Sequence, residues 1–272
     1  MSKKVLRYSD TKLIKLKKNN GFKSFFIFIF CLSIFLTVMF VSGAFSRVLK
    51  VNNFSFLFNK NKISVDTHSY YAVTMGQYDS ESEAQSVASG VSIMGAGAYV
   101  WLNGNKYYVI GNVYDNLTDA ETVLKNVSGN NYDVGILEMK FNKIAFDNEN
   151  YTTDQKKVIL ESIKFVDEVF KKCYNYSIKF DKSEVVATVV SSGLNTLKGD
   201  TTVWAGKLDA INSVVATNET ILLKNAYVSI NSELDASVLK VIDGSSVNKD
   251  LKYLTTAVAV IKYNLYKSIN SL

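Results

Sequence analysis

The sequence predicts an α+β protein. A four-stranded antiparallel β-α-β-β-α-β (split βαβ) domain is preceded by one transmembrane helix and followed by an all-α helical bundle. Three observations lead there. The segment from Tyr71 to Val91, YAVTMGQYDSESEAQSVASGV, returns at Tyr107 to Val127 as YYVIGNVYDNLTDAETVLKNV, offset by 36 positions. A run of 21 residues without charge, FFIFIFCLSIFLTVMFVSGAF, occupies Phe25 to Phe45. From Thr152 onward the apolar residues recur at about 3.6-residue spacing, the period of an amphipathic helix.

Residues 1–24 read as a basic cytoplasmic tail. Of the 31 Lys and Arg in the chain, eight fall before position 46, against one of the 25 Asp and Glu. The remainder carries 23 basic and 24 acidic residues, a net of −1, so the basic balance belongs to the tail. Nucleic-acid binding by the folded part is therefore not expected. Residues 25–45 match the roughly 20 residues needed to cross a bilayer core, and backbone groups in lipid must be satisfied within a helix. The preceding Lys/Arg cluster keeps its own side in the cytoplasm, so the chain beyond the span is expected outside, at a single-pass cytoplasmic membrane. Ser42 and Ala44 would suit a cleaved signal peptide, but such apolar cores run only about 7–15 residues. An uncleaved signal anchor is the expectation. Residues 46–68 show no clean period and read as a spacer.

Residues 69–141 form the duplicated unit. Tyr70 to Met75 alternates as a strand and Gly76 breaks it. Ser80, Ser82 and Glu83 open a helix with Ala84, Val87, Ala88 and Val91 inward. Ala98 to Leu102 is a second strand, Asn103-Gly104-Asn105 a hairpin turn, and Lys106 to Gly111 a third strand. Thr118 to Val127 is the second helix, and Tyr132 to Phe141 the fourth strand. The second copy is out of step, because Gly76 to Gly111 is 35 positions whereas Tyr78 to Tyr114 is 36. One residue is inserted there. Two helices on one face leave the other face of such a sheet open, as in RNA-binding members of the fold.

Met75-Gly76-Gln77-Tyr78, Glu83-Ala84, and Val109-Ile110-Gly111 followed by Asp119-Ala120 give the segment a resemblance to the SPOR domain, the sporulation-related repeat of bacterial cell-envelope proteins. The resemblance covers about Ser69 to Phe141 and implies binding of peptidoglycan glycan strands stripped of their peptides, at division or sporulation septa. It also implies which residues touch glycan. Thr74 and Gln77 match the polar positions flanking the strand glycine, although the family commonly has glutamine where Thr74 stands. Asn105 and Tyr107 fall where the family carries an aromatic or arginine. With Tyr108 and Ile110 in the core, Tyr107 and Val109 would face outward, and Trp101 would supply the stacking surface that Asn105 lacks. The expected contacts are thus Thr74, Gln77, Trp101, Tyr107 and Val109.

Residues 152–272 read as five helices. Ile159, Ile163, Val166, Phe170 and Cys173 mark the first. Val185, Val189, Val190 and Leu194 mark the second, which ends near Gly199-Asp200. Trp204, Leu208, Ile211 and Val215 mark the third. Leu222, Ala226, Ile230, Leu234, Val238 and Val241 mark the fourth, and Leu251, Leu254, Val258, Ile261, Leu265 and Ile269 the last. Short connections favour an antiparallel bundle, with a spare apolar stripe as a route to dimers or a protein partner. An extracytoplasmic scaffold with a merely structural repeat is the alternative function.

Catalysis finds little support. His68 is the single histidine and precedes the first strand of the repeat; no other can complete a Ser-His-Asp set, and zinc ligation by two or three histidines is impossible, which leaves a carboxylate pair as the open catalytic alternative. Cys31 and Cys173 give neither a disulfide framework nor metal-ligand spacing. Asp79 and Glu83 are explained by turn and helix-start roles. A binding protein without cofactor or metal is expected.

Overall fold

The computed structural model describes residues 62–128, 132–147, 149–244 and 246–272. The expected tail, the expected span and all but the end of the spacer lie outside them. Among the described residues no helix is long and apolar enough to cross a membrane. Residues 61 to 272 form one compact unit.

The chain runs β1 (Lys62–Val65), β2 (His68–Tyr78), α1 (Glu81–Ile93), β3 (Tyr99–Asn103), β4 (Lys106–Tyr114), α2 (Leu117–Val127), β5 (Gly135–Phe141) and β6 (Ile144–Asp147). Four helices follow: α3 (Thr153–Asp181), α4 (Ala187–Asn212), α5 (Asn218–Asp243) and α6 (Val247–Asn270). The four-stranded sheet has the order β3-β4-β2-β5, antiparallel throughout. That is the expected β-α-β-β-α-β arrangement. β1 and β6 pair as a separate two-stranded ribbon, so the end of the spacer is strand rather than linker.

The two halves start their helices alike. Ser80 caps α1 by accepting the Glu83 N–H, and Asn116 caps α2 by accepting the Asp119 N–H. Each cap satisfies a donor that the first helical turn leaves open. Each of the two strand glycines marks a bulge. Val73 pairs with Asn112 while Thr74 pairs with Ile110, which leaves Gly111 as the extra residue on β4. The next step, Thr74–Ile110 to Gln77–Tyr108, places an extra residue on β2 beside Gly76. Bulges of this kind re-aim the strand beyond them. Both central strands therefore continue past the glycines that were expected to end them.

The helical region has four helices rather than five. The break expected at Gly199-Asp200 does not occur, and α4 is continuous through both residues. Tertiary packing of Leu194, Leu197, Thr201, Leu208 and Ile211, all buried, outweighs the cost of one glycine. α3 begins with a capping box between Thr152 and Gln155, and α5 with one between Thr217 and Thr220. The stripe expected on the first helix is buried in full. On α6 the buried member near the middle is Lys262 rather than the half-buried Ile261.

A covered sheet face as the candidate functional site

The sheet has helices on both faces. α1 and α2 pack on one, and α6 crosses the other, contacting β3, β4 and β5. This corrects the expectation of an open face. Strand alternation assigns the side chains. Val73, Met75, Val100 and Val109 lie on the α1/α2 side. Tyr70, Ala72, Thr74, Trp101, Ile110, Met139 and Phe141 lie on the α6 side, and all seven are buried.

The five residues expected to touch glycan do not share one surface. Trp101 is only 4% exposed, under Tyr263 of α6, with ring centroids 5.1 Å apart and nearly perpendicular planes. Thr74 is buried on the same face, and its hydroxyl donates to the Gly135 carbonyl. Val109 is fully buried on the opposite face, and Tyr107 is half-buried there opposite Leu102. The expectation that these two faced away from α1 and α2 fails, because Tyr108 and Ile110 occupy the other side. Gln77 alone of the five is exposed. Its register partner is Tyr108, a half-buried ring 6.4 Å from Trp101. Gln77 and Tyr108 thus form the uncovered rim of the face.

Three α6 tyrosines cover aromatic rings of the sheet. Tyr253 lies on Tyr99, Tyr263 on Trp101 and Phe141, and Tyr266 on Phe141. Among the described residues the indole N–H of Trp101, buried beneath them, has no hydrogen-bond partner, a condition that costs about 1–3 kcal/mol.

A charged cluster ties the layers together at the other end of the face. Lys262 is fully buried. Its Nζ lies 2.6 Å from His68 Nε2, 2.9 Å from Tyr70 Oη and 2.6 Å from Asp167 Oδ1. Those three acceptors use all three protons of an ammonium group. The Tyr70 hydroxyl donates to the same Asp167 oxygen, and Lys171 reaches the other at 2.8 Å. His68 Nδ1 faces the Asp66 carbonyl at 3.3 Å, so Nδ1 carries the proton and Nε2 accepts from Lys262. The rings of Phe141 and Tyr70 flank the ammonium at 4.5 and 4.6 Å from their centroids.

The cluster's protonation states follow from this geometry. Burial pulls Lys262 down to about 8, against the pull of Asp167 in the other direction. Burial pushes Asp167 up, but the Lys262 charge and the bonds from Lys171, Lys262 and Tyr70 outweigh it and hold the carboxyl well below its ordinary range. Burial and the Lys262 charge lower His68. Burial first, then the Asp167 charge, raises Tyr70 far above its ordinary value.

Sequence reasoning missed this cluster because a lysine and an aspartate on helices read as solvated. A signal existed in the spacing. Lys262 stands four residues after Val258 and three before Leu265, inside the apolar stripe.

No family model matches the chain, and no curated protein matches it significantly. Among solved structures the chain is similar to the solution structure of the peptidoglycan binding domain of the B. subtilis cell wall lytic enzyme CwlC, at 20% identity. The match covers 27% of this chain and 94% of that one, with a TM-score of 0.25.

Proposed function

We propose that this chain is a membrane-anchored cell-envelope protein whose β-α-β-β-α-β module binds peptidoglycan glycan strands. Strands stripped of their peptides are the expected ligand, and the division or sporulation septum the expected place. The observation that carries the proposal is the pair of glycine bulges in the two central strands. Each stands at a motif on which the SPOR resemblance rests, and together they bring Gln77 and Tyr108 side by side at the exposed end of an aromatic-rich face. An amide side chain next to a ring suits a sugar, whose C–H face lies on the ring while its hydroxyls bond the amide. The order of tail, span, spacer and module is also similar to that of stage II sporulation protein B.

The test is co-sedimentation of the purified outer region with amidase-treated sacculi. Binding above that to untreated sacculi, weakened by Gln77→Ala and by Tyr108→Ala, is expected. Equal sedimentation with both sacculi would end the proposal.

A second role, as a scaffold for a protein partner, is favoured by the outward apolar side chains of α4 and α5. Val203 and Val214 on or beside α4, and Val228 and Leu239 on α5, are all more than half exposed. Crosslinking in cells after their replacement by serine distinguishes the roles. Loss of a crosslinked partner with sedimentation intact identifies the scaffold.

A further inference from the structure

We propose that the helical region is a detachable cover of the glycan face, held shut by a latch in which Lys262 and Asp167 of the cover bond His68 and Tyr70 of the sheet, so that the module is autoinhibited in the conformation seen here. This rests on the glycan-binding role above and concerns its regulation.

Three features of the structure support it. The first is that each layer keeps apolar packing of its own. On the far side of the sheet, Val73, Met75 and Val109 pack with Ala84, Ala88, Val91 and Ala120 of α1 and α2. The helical region has Val166, Leu194, Leu208, Ile230, Leu234 and Val258. These residues belong to one core that runs through both layers, and on separation each layer would keep its own share of it.

The second is the chemistry of the contact between them. The sheet contributes Tyr99, Trp101 and Phe141, and α6 contributes Tyr253, Tyr263 and Tyr266. A tyrosine is a flat apolar ring with a hydroxyl at its edge, which is also a fair description of one sugar in a glycan strand. The α6 tyrosines hold the positions on the sheet that sugars would take. They do so imperfectly, since the Trp101 N–H beneath them has no acceptor among the described residues. A glycan offers hydroxyl, ring and acetamide oxygens to that donor.

The third is the latch. A contact held by apolar packing alone would need no fully buried ammonium. Here Lys262 of α6 bonds His68 and Tyr70 of the sheet and Asp167 of α3 at once. Breaking such a set leaves charges that only water can satisfy, so it acts as an all-or-none catch. Asp167 and His68 keep 27% and 31% of their side-chain surface exposed, so water and ions reach the catch from outside. A surface cleft of about 190 Å³, lined by Lys140, Asn142, Tyr263, Tyr266 and Asn270, opens beside it, and the Tyr266 ring lies 5.6 Å from the Lys262 ammonium.

The chain has two tryptophans, and Trp204→Phe makes Trp101 the sole indole reporter. In the full-length protein in detergent micelles, Trp101 emission and acrylamide quenching are followed while glycan strands released by amidase are added. Wild type is expected to show a shielded indole and weak binding. Lys262→Met with Asp167→Asn, and separately Tyr263→Ser, should expose the indole to quencher and tighten glycan binding about tenfold, as a larger binding-competent fraction requires. An indole that stays shielded in both variants overturns the latch. An indole that becomes accessible with binding unchanged also overturns the proposal. If binding is then absent throughout, the glycan role falls with it. If binding is substantial throughout, and Gln77→Ala removes it, glycan docks at the rim and only the cover is wrong.

Discussion

Lys262 Nζ lies 2.6 Å from Asp167 Oδ1, and the two residues come from α6 and α3, helices that pack against each other beneath the sheet face. Lys262 is fully buried while Asp167 keeps a quarter of its side-chain surface. Removing one partner is therefore unequal. Asp167→Leu leaves a buried ammonium with neutral acceptors only and should cost about 3–5 kcal/mol. Lys262→Met leaves a carboxylate that still has Lys171, Tyr70 and water, and should cost less. The double variant should be more stable than Asp167→Leu alone, since an apolar pair of similar volume replaces the ions. Urea unfolding of the four proteins in a double-mutant cycle measures this.

Acid should loosen the protein in a defined window. His68 has its proton affinity lowered by burial and Lys262, from an ordinary value of 6.5. Below pH 6.5 the unfolded chain takes up a proton that the folded chain refuses, so stability falls as pH drops. Asp167, depressed from 3.8, adds a second loss below that value as its stabilising carboxylate is protonated. Lys262 acts at the other end. Between about 8, its folded value, and 10.5 the unfolded chain keeps a proton that the folded chain has shed, so stability rises with pH there. The groups facing one another are Tyr70 from the sheet, Asp167 and Lys171 from α3, and Lys262 and Tyr266 from α6. Unfolding midpoints should climb from pH 5 to 7, and His68→Gln should flatten that limb.

The bulge at Gly76 is built for glycine. Its φ is +133°, and an added Cβ would fall within 2.6 Å of the Tyr78 ring carbon that bears the hydroxyl. That hydroxyl donates to the Met75 carbonyl at 3.1 Å, so the ring cannot swing away freely. Gly76→Ala should cost about 3 kcal/mol, combining backbone strain with the clash. Gly104, at the β3–β4 turn, has φ +65° and open space around it. Gly104→Ala should cost only about 1 kcal/mol. Thermal unfolding of the two variants separates a turn from a packed bulge. Gly76→Ala should also displace Gln77 and weaken sedimentation with sacculi, which Gly104→Ala should not.

The repeat was legible because each half is a local unit, with its own alternation, cap and helix spacing. The one-residue slip between Gly111 and Tyr114 was visible too, but the paired bulges were not, since each strand bulges at its own glycine and the two compensate. Which way Tyr107 and Tyr108 point was not legible. Alternation names a buried side only where the other side meets water, and here Val109 and Ile110 are both fully buried on opposite faces. Covering of Trp101 by Tyr263 depends on residues 162 positions apart, and nothing local encodes that. The bond between Asp167 and Lys262 was hidden for the same reason, since the two stand 95 positions apart and only the place of Lys262 in the apolar stripe hinted at its burial.

The helix break expected at Gly199 leads to the last prediction. Glycine weakens a helix by about 0.5–1 kcal/mol relative to alanine, through backbone entropy. α4 contains Gly193, Gly199 and Gly206 and is nonetheless continuous from Ala187 to Asn212. Around Gly199 and Gly206 an added Cβ meets nothing within 4 Å. Gly199→Ala and Gly206→Ala should therefore each stabilise the protein by about 0.5–1 kcal/mol, and by the sum together, since they are two helical turns apart. Gly193 differs, because its Cβ would overlap the ring of Tyr176 on α3. Gly193→Ala should gain nothing or lose stability, because that ring must leave its place between the helices. Urea midpoints that rise for positions 199 and 206 but not for 193 would show that α4 is held by its packing on α3 and α5. A fall at 199 would mean that the chain uses this glycine as the hinge its sequence suggests.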